Sequence, residues 1–219
     1  MRDGVRLGAA ALGPTQATVG VVLAHGASQT LCDWLTEADR IVSGAQVRIL
    51  IPDRRGVGSS EGTPDAAKYS ADMVEAALWL QAHGTSQIVL IGSSYGAPIA
   101  VTAGQGTGEG VSPKDSAPGP LKPPACAVVA ISPARSIEEG TGSIQPLKIS
   151  SFAPRLWIAA EEGRSDIVGN ARALFSKLGS DKKEHFLLIP GTDHSLGLVQ
   201  NHPDVRNLIQ NAVRECFSN

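Results

Sequence analysis

The sequence has little of several features that mark specialised proteins. Its 19 Lys and Arg residues are matched by 21 Asp and Glu, so charge gives no reason to expect nucleic acid or a membrane as partner. No apolar run approaches the roughly 18 residues that a membrane-spanning helix needs. Three cysteines, Cys32, Cys126 and Cys216, argue by odd number and wide spacing against a disulfide framework or a zinc site. We therefore expect a soluble protein without a metal or other cofactor.

The beginning of the sequence also lacks the apolar core of a signal peptide. Together with the cysteine usage, which is typical of a reducing compartment, this predicts a cytoplasmic location. The 219 residues, 42% of them hydrophobic and 18% charged, fit one folded domain over 1–219. Ten of its 24 glycines and 14 prolines fall in residues 104–124, which we expect to form a mobile surface loop. The oligomeric state is left open.

The order of apolar runs and amphipathic stretches predicts the fold class. Short runs rich in Val, Ile and Leu are typical of strands covered on both faces; they lie at residues 19–24, 47–51, 88–91, 127–131, 156–159 and 185–189. Helices are predicted between them, at residues 65–83, 97–103, 166–178 and 205–217. This alternation predicts a doubly wound, mostly parallel α/β sheet flanked by helices. In such a sheet, ligands bind beyond the carboxyl ends of the strands.

One motif that carries chemistry follows the strand at residues 88–91. Residues 92–96 read Gly-Ser-Ser-Tyr-Gly, a Gly-x-Ser-x-Gly pattern between a strand and a predicted helix, which is the setting of a nucleophilic serine on a sharp turn. Ser94 is the predicted nucleophile. A second match at residues 58–62, centred on Ser60, has neither a strand directly before it nor a helix directly after it, and we interpret it as a loop.

With this motif in place, the chain resembles the α/β-hydrolase superfamily over nearly its whole length. Residues 24–27, Ala-His-Gly-Ala, look like the oxyanion loop of that superfamily, and residues 53–59 resemble the first seven positions of its D-x-R-G-x-G-x-S segment. The resemblance implies a triad in the order Ser, acid, His. It implies that His194, after the last strand, is the general base and that Asp166 is the acid, with Glu162 as the alternative. His25 is expected to have a structural role.

The resemblance also implies an oxyanion hole and a small substrate site. Its backbone N–H donors would be those of Ala27 and Tyr95. Only about two dozen residues separate the strands at 127–131 and 156–159, so no lid domain is expected. We expect an open site for a small acyl substrate. Leu31, Trp34 and Ile144 are candidate lining residues, although packing in the core is an alternative use of each.

These features together favour a serine hydrolase, similar to small carboxylesterases or dienelactone hydrolases, that cleaves a carboxylic ester or thioester through an acyl-enzyme on Ser94. Two alternatives stay open. One is a catalytically silent scaffold that binds a partner or small molecule. The other is a peptidase or acyltransferase, because the same triad serves each of these reactions.

Overall fold

A central parallel sheet organises the protein. The computed structural model describes residues 1, 3–42, 46–113, 119–179 and 182–217. The sheet has seven strands in the order β1-β3-β2-β4-β6-β9-β10, and only β1 is antiparallel to its neighbour. These strands are β1 Ala9–Leu12, β2 Val19–Ala24, β3 Val47–Pro52, β4 Gln87–Ser93, β6 Ala127–Ile131, β9 Arg155–Glu161 and β10 Phe186–Ile189.

Helices cover both faces of this sheet. The described helices are α1 Leu31–Val42, α2 Ala66–Ala82, α3 Gly96–Gln105, α4 Ser165–Leu178, α5 Leu196–Asn201 and α6 Pro203–Arg214. Helices α2, α3 and α4 pack in one apolar cluster on one face, and α1, α5 and α6 pack in a second cluster on the other. None of the helices in the described part of the chain combines the length and apolarity that crossing a membrane requires.

The predicted doubly wound α/β fold is confirmed. Alternate residues of one strand face opposite clusters: Val22 joins the α2 side, whereas Val21 and Leu23 join the α1 side. Burial on both faces explains why these strands are continuous apolar runs. All six predicted strands and all four predicted helices are present. Helices α1 and α5 and strand β1 were not predicted.

The connection between β6 and β9 contains no lid domain. Residues 132–154, all of which the structure describes, hold strand β7 Ile137–Glu139, strand β8 Gly142–Ile144 and a short 3-10 helix, Pro146–Lys148. Strand β5, Val111–Ser112, pairs with β8, so β5, β8 and β7 form a small second sheet. Part of segment 104–124 is therefore paired structure with buried Val111 and Leu121, unlike the expected surface loop. Residues 114–118 of that segment lie outside the described residues.

The cysteine prediction needs a correction. Cys126, just before β6, forms a disulfide with Cys216, just after α6, and Cys32 is a free, exposed thiol. The wide spacing misled the prediction because the chain folds back and brings the Cα atoms of these two cysteines, which are 90 positions apart, to 5.9 Å. Cysteine usage therefore no longer argues for a reducing compartment, and the cytoplasmic location stays a prediction.

Candidate active site

The turn after β4 presents Ser94 above the sheet. Its φ is +51°, in the left-handed region, and its N–H donates to the carbonyl of Ile131 at 2.8 Å. The flanking glycines are required by close packing. A Cβ on Gly92 would lie 2.1 Å from the carbonyl oxygen of Gly96, and a Cβ on Gly96 would lie 2.0 Å from that of Ala24. The small residues therefore allow the sharp strand-to-helix turn that exposes the hydroxyl.

A chain of short hydrogen bonds runs from this hydroxyl into the protein. Ser94 Oγ lies 2.8 Å from His194 Nε2, and His194 Nδ1 lies 2.5 Å from Glu161 Oε1. Glu161 is fully buried, and its other oxygen, Oε2, accepts a hydrogen bond of 2.7 Å from Ser132 Oγ. Both carboxylate oxygens are thus occupied, which fixes the carboxylate toward the imidazole.

The structure places Glu161 where Asp166 was predicted. Strand β9 continues two residues beyond the predicted end and finishes on Glu161, which pairs with Ile189 of β10. Asp166 is instead the second residue of α4, with a 66% exposed side chain whose hydrogen-bond partner is Arg164. The alternative, Glu162, is exposed. The structure therefore does not bring the predicted acid to His194, because Asp166 lies in the first turn of α4, beyond the end of β9.

Three serines, two of them with positive φ, form a hydrogen-bonded network next to His194. Ser132 and Ser195 have φ values of +47° and +57°. Ser132 Oγ accepts from the N–H of Ser195 at 3.0 Å, and Ser195 Oγ lies 2.8 Å from Ser93 Oγ. Ser132 therefore contacts Glu161 and the residue after His194 at once. Sequence reasoning missed it, although a serine directly after β6 stands where sheet ligands are expected.

The loop after β2 is held by Gln29. Its Oε1 accepts from the N–H of Gly26 at 2.8 Å, from Trp34 Nε1 at 3.0 Å and from Ser195 Oγ at 3.3 Å. One side-chain oxygen therefore joins this loop to the loop that carries His194. Among the described residues, the N–H groups of Ala27 and Tyr95 donate to no backbone carbonyl, so both are available for a ligand.

Arg54 clamps the same loop from the other side. Its Nη1 donates to the carbonyls of His25 at 3.0 Å and Gly26 at 2.9 Å, and its Nη2 donates to that of Ala27 at 2.9 Å. The guanidinium carbon also lies 5.0 Å from the centroid of the Tyr95 ring. Arg54 thereby touches both residues that were predicted to supply oxyanion donors. Nothing in the sequence pattern had marked it.

His25 and Tyr95 have structural partners. His25 is fully buried with Nδ1 2.9 Å from the carbonyl oxygen of Gly26, and burial, followed by the charge of Arg54, lowers its pKa. In a neutral ring, Nδ1 can donate to this carbonyl while Nε2 accepts from the N–H of Arg54 at 3.4 Å. Tyr95 donates its hydroxyl to Glu139 Oε2 at 2.7 Å, and burial raises its pKa above the usual value. The ring therefore packs toward the small second sheet.

An open groove of about 630 Å³ lies beside Ser94 and His194. It is lined further by residues after β6 and around the start of α4: Ala134, Arg135, Arg164, Ser165, Asp166, Ile167, Gly169 and Asn170. None of the predicted lining residues belongs to it. Trp34 and Ile144 are fully buried in the two apolar clusters, and Leu31 packs against the α1 cluster. Core packing, the alternative use, is what the structure shows.

The second serine motif lies in a loop with hydrogen-bonded ends. Ser60 Oγ donates to the carbonyl of Asp53 at 2.8 Å and accepts from the N–H of Gly8 at 3.0 Å. It has no histidine among its hydrogen-bond partners. Among the described residues, no group of three His, Cys, Asp or Glu side chains could hold a metal ion.

Comparison with known proteins places this chain in a family. A family model described as the alpha/beta hydrolase family matches residues 21–187, which is most of the sequence. The chain belongs to the alpha/beta hydrolase family. The match to this family includes Ser94 and Glu161 and ends before His194. Among curated proteins, no sequence match was found.

Solved structures share the α/β-hydrolase fold at low identity. A CIB-like hydrolase of Thermoplasma acidophilum is 16% identical, with 97% of this chain and 94% of that chain covered and a TM-score of 0.70. An esterase of Pyrococcus furiosus is 16% identical, with 98% and 87% covered and a TM-score of 0.69. A serine hydrolase without lid from Xanthomonas campestris is 17% identical, with 95% and 94% covered and a TM-score of 0.59. These likenesses show the fold.

Proposed function

We propose that this α/β-hydrolase is a serine hydrolase that cleaves a small carboxylic ester or thioester through an acyl-enzyme on Ser94. The observation that carries the proposal is the hydrogen-bonded chain from Ser94 through His194 to Glu161, with distances of 2.8 and 2.5 Å. Hydroxyl, imidazole and buried carboxylate in this order form a nucleophile, a general base and a group that orients the base.

The first half of the proposed reaction forms the acyl-enzyme. Ser94 Oγ attacks the carbonyl carbon of the substrate while its proton passes to His194 Nε2. The carboxylate of Glu161 at Nδ1 stabilises the imidazolium that results. The free N–H groups of Ala27 and Tyr95 are the donors we assign to the oxyanion of the tetrahedral intermediate. The intermediate collapses, and the leaving alkoxide or thiolate takes the proton from Nε2.

The second half regenerates the serine. A water molecule attacks the acyl carbon and gives its proton to His194, and the collapse of the second tetrahedral intermediate returns that proton to Ser94 Oγ as the carboxylic acid leaves. The open groove and the short β6–β9 connection support a small, solvent-accessible acyl substrate. No step of this proposed reaction uses a cofactor.

A fluorophosphonate probe and 4-nitrophenyl acetate test this proposal. We expect the wild-type protein to be labelled and to release nitrophenol, and Ser94→Ala to lose both, with turnover about 10⁶-fold lower. Ser60→Ala is the matched control, since Ser60 stands in the same motif with loop partners only. An unlabelled, inert wild-type protein would instead favour the binding scaffold. Loss of labelling in Ser60→Ala but not in Ser94→Ala would identify Ser60 as the nucleophile instead of Ser94.

A further inference from the structure

In the described chain, the groove beside Ser94 is lined by two arginines and only one carboxylate. Arg135 follows β6 and is exposed, and among the described residues it has no hydrogen-bond or ion-pair partner. Arg164 precedes α4 and meets one carboxylate, that of Asp166, at 3.5 Å. Both members of this pair are well exposed, at 40% and 66% of the side chain, so their attraction is weak in water. Both guanidinium groups can therefore bind a ligand.

The start of α4 adds to this positive field. Ser165, Asp166 and Ile167, the first three residues of the helix, line the groove, and no side chain caps the helix. The first N–H groups of a helix lack partners within it and carry a partial positive charge. They lie on the same side of the groove as Arg164. This helix end supports the arginines and does not form a site by itself.

Negative charge at the groove is smaller than positive charge. Asp166 is its single acidic lining residue against the two arginines. Glu161, whose carboxylate contacts His194, is fully buried and has both oxygens occupied. The protein as a whole carries a formal charge of -2, so the excess of positive charge here is local. A local field of this sign favours an anion next to the nucleophile.

We propose that the groove selects esters that carry an anionic oxyacid group, a carboxylate or a phosphate, which Arg135 and Arg164 bind while Ser94 attacks the ester carbonyl. Guanidinium groups suit such oxygens because their N–H donors form charge-assisted, often bidentate hydrogen bonds. This selectivity rests on the proposed function, since it concerns the substrate of the same serine.

Two adipate esters with the same six-carbon diacid chain test the selectivity. One is 4-nitrophenyl hydrogen adipate, whose far end is a carboxylate, and the other is its neutral methyl ester. We expect wild-type kcat/KM to be about tenfold higher for the anionic ester at low salt. The preference should shrink in 0.5 M NaCl, because salt screens exposed charges. Competitive inhibition by adipate and by inorganic phosphate distinguishes a carboxylate-binding groove from a phosphate-binding one.

Removing a positive or a negative charge from the groove should change the preference for the anionic ester in opposite directions. Arg135→Gln and Arg164→Gln should each lower the anionic-to-neutral ratio of kcat/KM about fivefold, and Asp166→Asn should raise it. Arg172→Gln is the matched control: Arg172 is exposed on α4 but does not line the groove, so the ratio should not change.

The outcomes separate this inference from the proposed function. Ser94-dependent cleavage of both esters, with no anionic preference or with the same ratio in all variants, overturns the selectivity and leaves the serine hydrolase intact. No cleavage of either ester and no fluorophosphonate labelling overturn both. A preference that changes equally in Arg172→Gln would show long-range charge and also overturn the assignment to Arg135 and Arg164.

Discussion

The two ends of the parallel sheet are built in different ways. At the carboxyl end lie the three non-glycine residues of the described chain that have positive φ, Ser94, Ser132 and Ser195. A non-glycine residue in this region costs on the order of 1–3 kcal/mol and persists where its surroundings fix it. Here the hydrogen bonds among serines, Gln29 and Glu161 supply that constraint. The strained end is the end that carries the candidate active site.

The amino end is held by a covalent bond and by stacking. The Cys126–Cys216 disulfide joins the start of β6 to the end of α6. Nearby, the rings of Trp157 and His185 stack with centroids 3.6 Å apart. Backbone strain at non-glycine residues is therefore confined, in the described chain, to the carboxyl end, whereas the amino end carries contacts that stabilise the fold. Substitutions at the carboxyl end should therefore change turnover, and those at the amino end should change stability.

The largest expected effect is that of Glu161→Gln. Glutamine keeps the size but cannot stabilise the imidazolium of His194, so kcat for 4-nitrophenyl acetate should fall about 10⁴-fold. Asp166→Asn is the matched control, a similar change five residues further along, and it should retain at least about a hundred times the activity of Glu161→Gln. An equal loss in both variants would return Asp166 to the position of catalytic acid.

The carboxylate beside His194, Glu161 rather than the predicted Asp166, shows what the sequence alone can and cannot predict. The strands were predictable because burial on both faces requires apolar runs. Ser94 was predicted from the Gly-x-Ser-x-Gly motif after one such run, and His194 from its place in the loop after the last strand, as the resemblance to α/β-hydrolases implies. Glu161 and Asp166 are only five positions apart, and their order does not reveal where β9 ends. Pairing with β10 decides it, and this pairing is a contact between strands rather than a local pattern.

Other features were hidden for the same reason. Arg54 reaches the carbonyl of Gly26 through folding, Gln29 meets Ser195 across 166 positions, and Cys126 meets Cys216 across 90 positions. Helix α1 differs, because its signal was present: Trp34, Ala38 and Ile41 lie on one face at spacings of four and three, and all are buried. Local periodicity could have found this helix, whereas long-range partners need the structure.

The second largest effect is expected at the amino end, from Cys216→Ser. Loss of a cross-link that closes a 90-residue loop should lower the free energy of unfolding by about 4 to 5 kcal/mol, measured by urea denaturation. Turnover per folded molecule should not change. Cys32→Ser, which removes the free exposed thiol, is the control and should leave stability within about 0.5 kcal/mol. A loss of turnover without a loss of stability would break the separation between the two ends.

A smaller effect is expected from Arg54→Met. Methionine removes the donors to the carbonyls of His25, Gly26 and Ala27, so the predicted oxyanion donors should lose alignment and kcat should fall about 10- to 100-fold with little change in KM. Arg55→Met is the contrast, because Arg55 binds buried Asp72 (Nε to Oδ2, 2.7 Å) and should lose stability instead. If Arg54→Met only destabilised the protein, the clamp would be structural and not part of catalysis.

The smallest effect is expected from two buried histidines, one at each end of the parallel sheet. Burial lowers the pKa of His25 and of His185; at His185, Glu215 and Glu184 oppose this effect and Lys182 adds to it. The unfolded chain, in which a histidine has a pKa of about 6.5, therefore binds more protons than the folded one below that pH. Above this pH the two histidines do not lower the free energy of unfolding. As pH decreases toward the folded pKa, the free energy of unfolding falls by up to about 1.4 kcal/mol per pH unit for each histidine.

Urea denaturation between pH 5 and pH 7 measures this slope. His185→Gln should make the pH dependence of the free energy of unfolding shallower and leave turnover of the folded protein unchanged, because His185 lies at the amino end. His25→Asn should reduce the slope in the same way but also slow turnover, since the His25 ring contacts the carbonyl of Gly26 in the predicted oxyanion loop. Unchanged slopes in both variants would mean that neither histidine is held neutral by burial, and equal losses of turnover would contradict the division of the sheet into a catalytic end and a stabilising end.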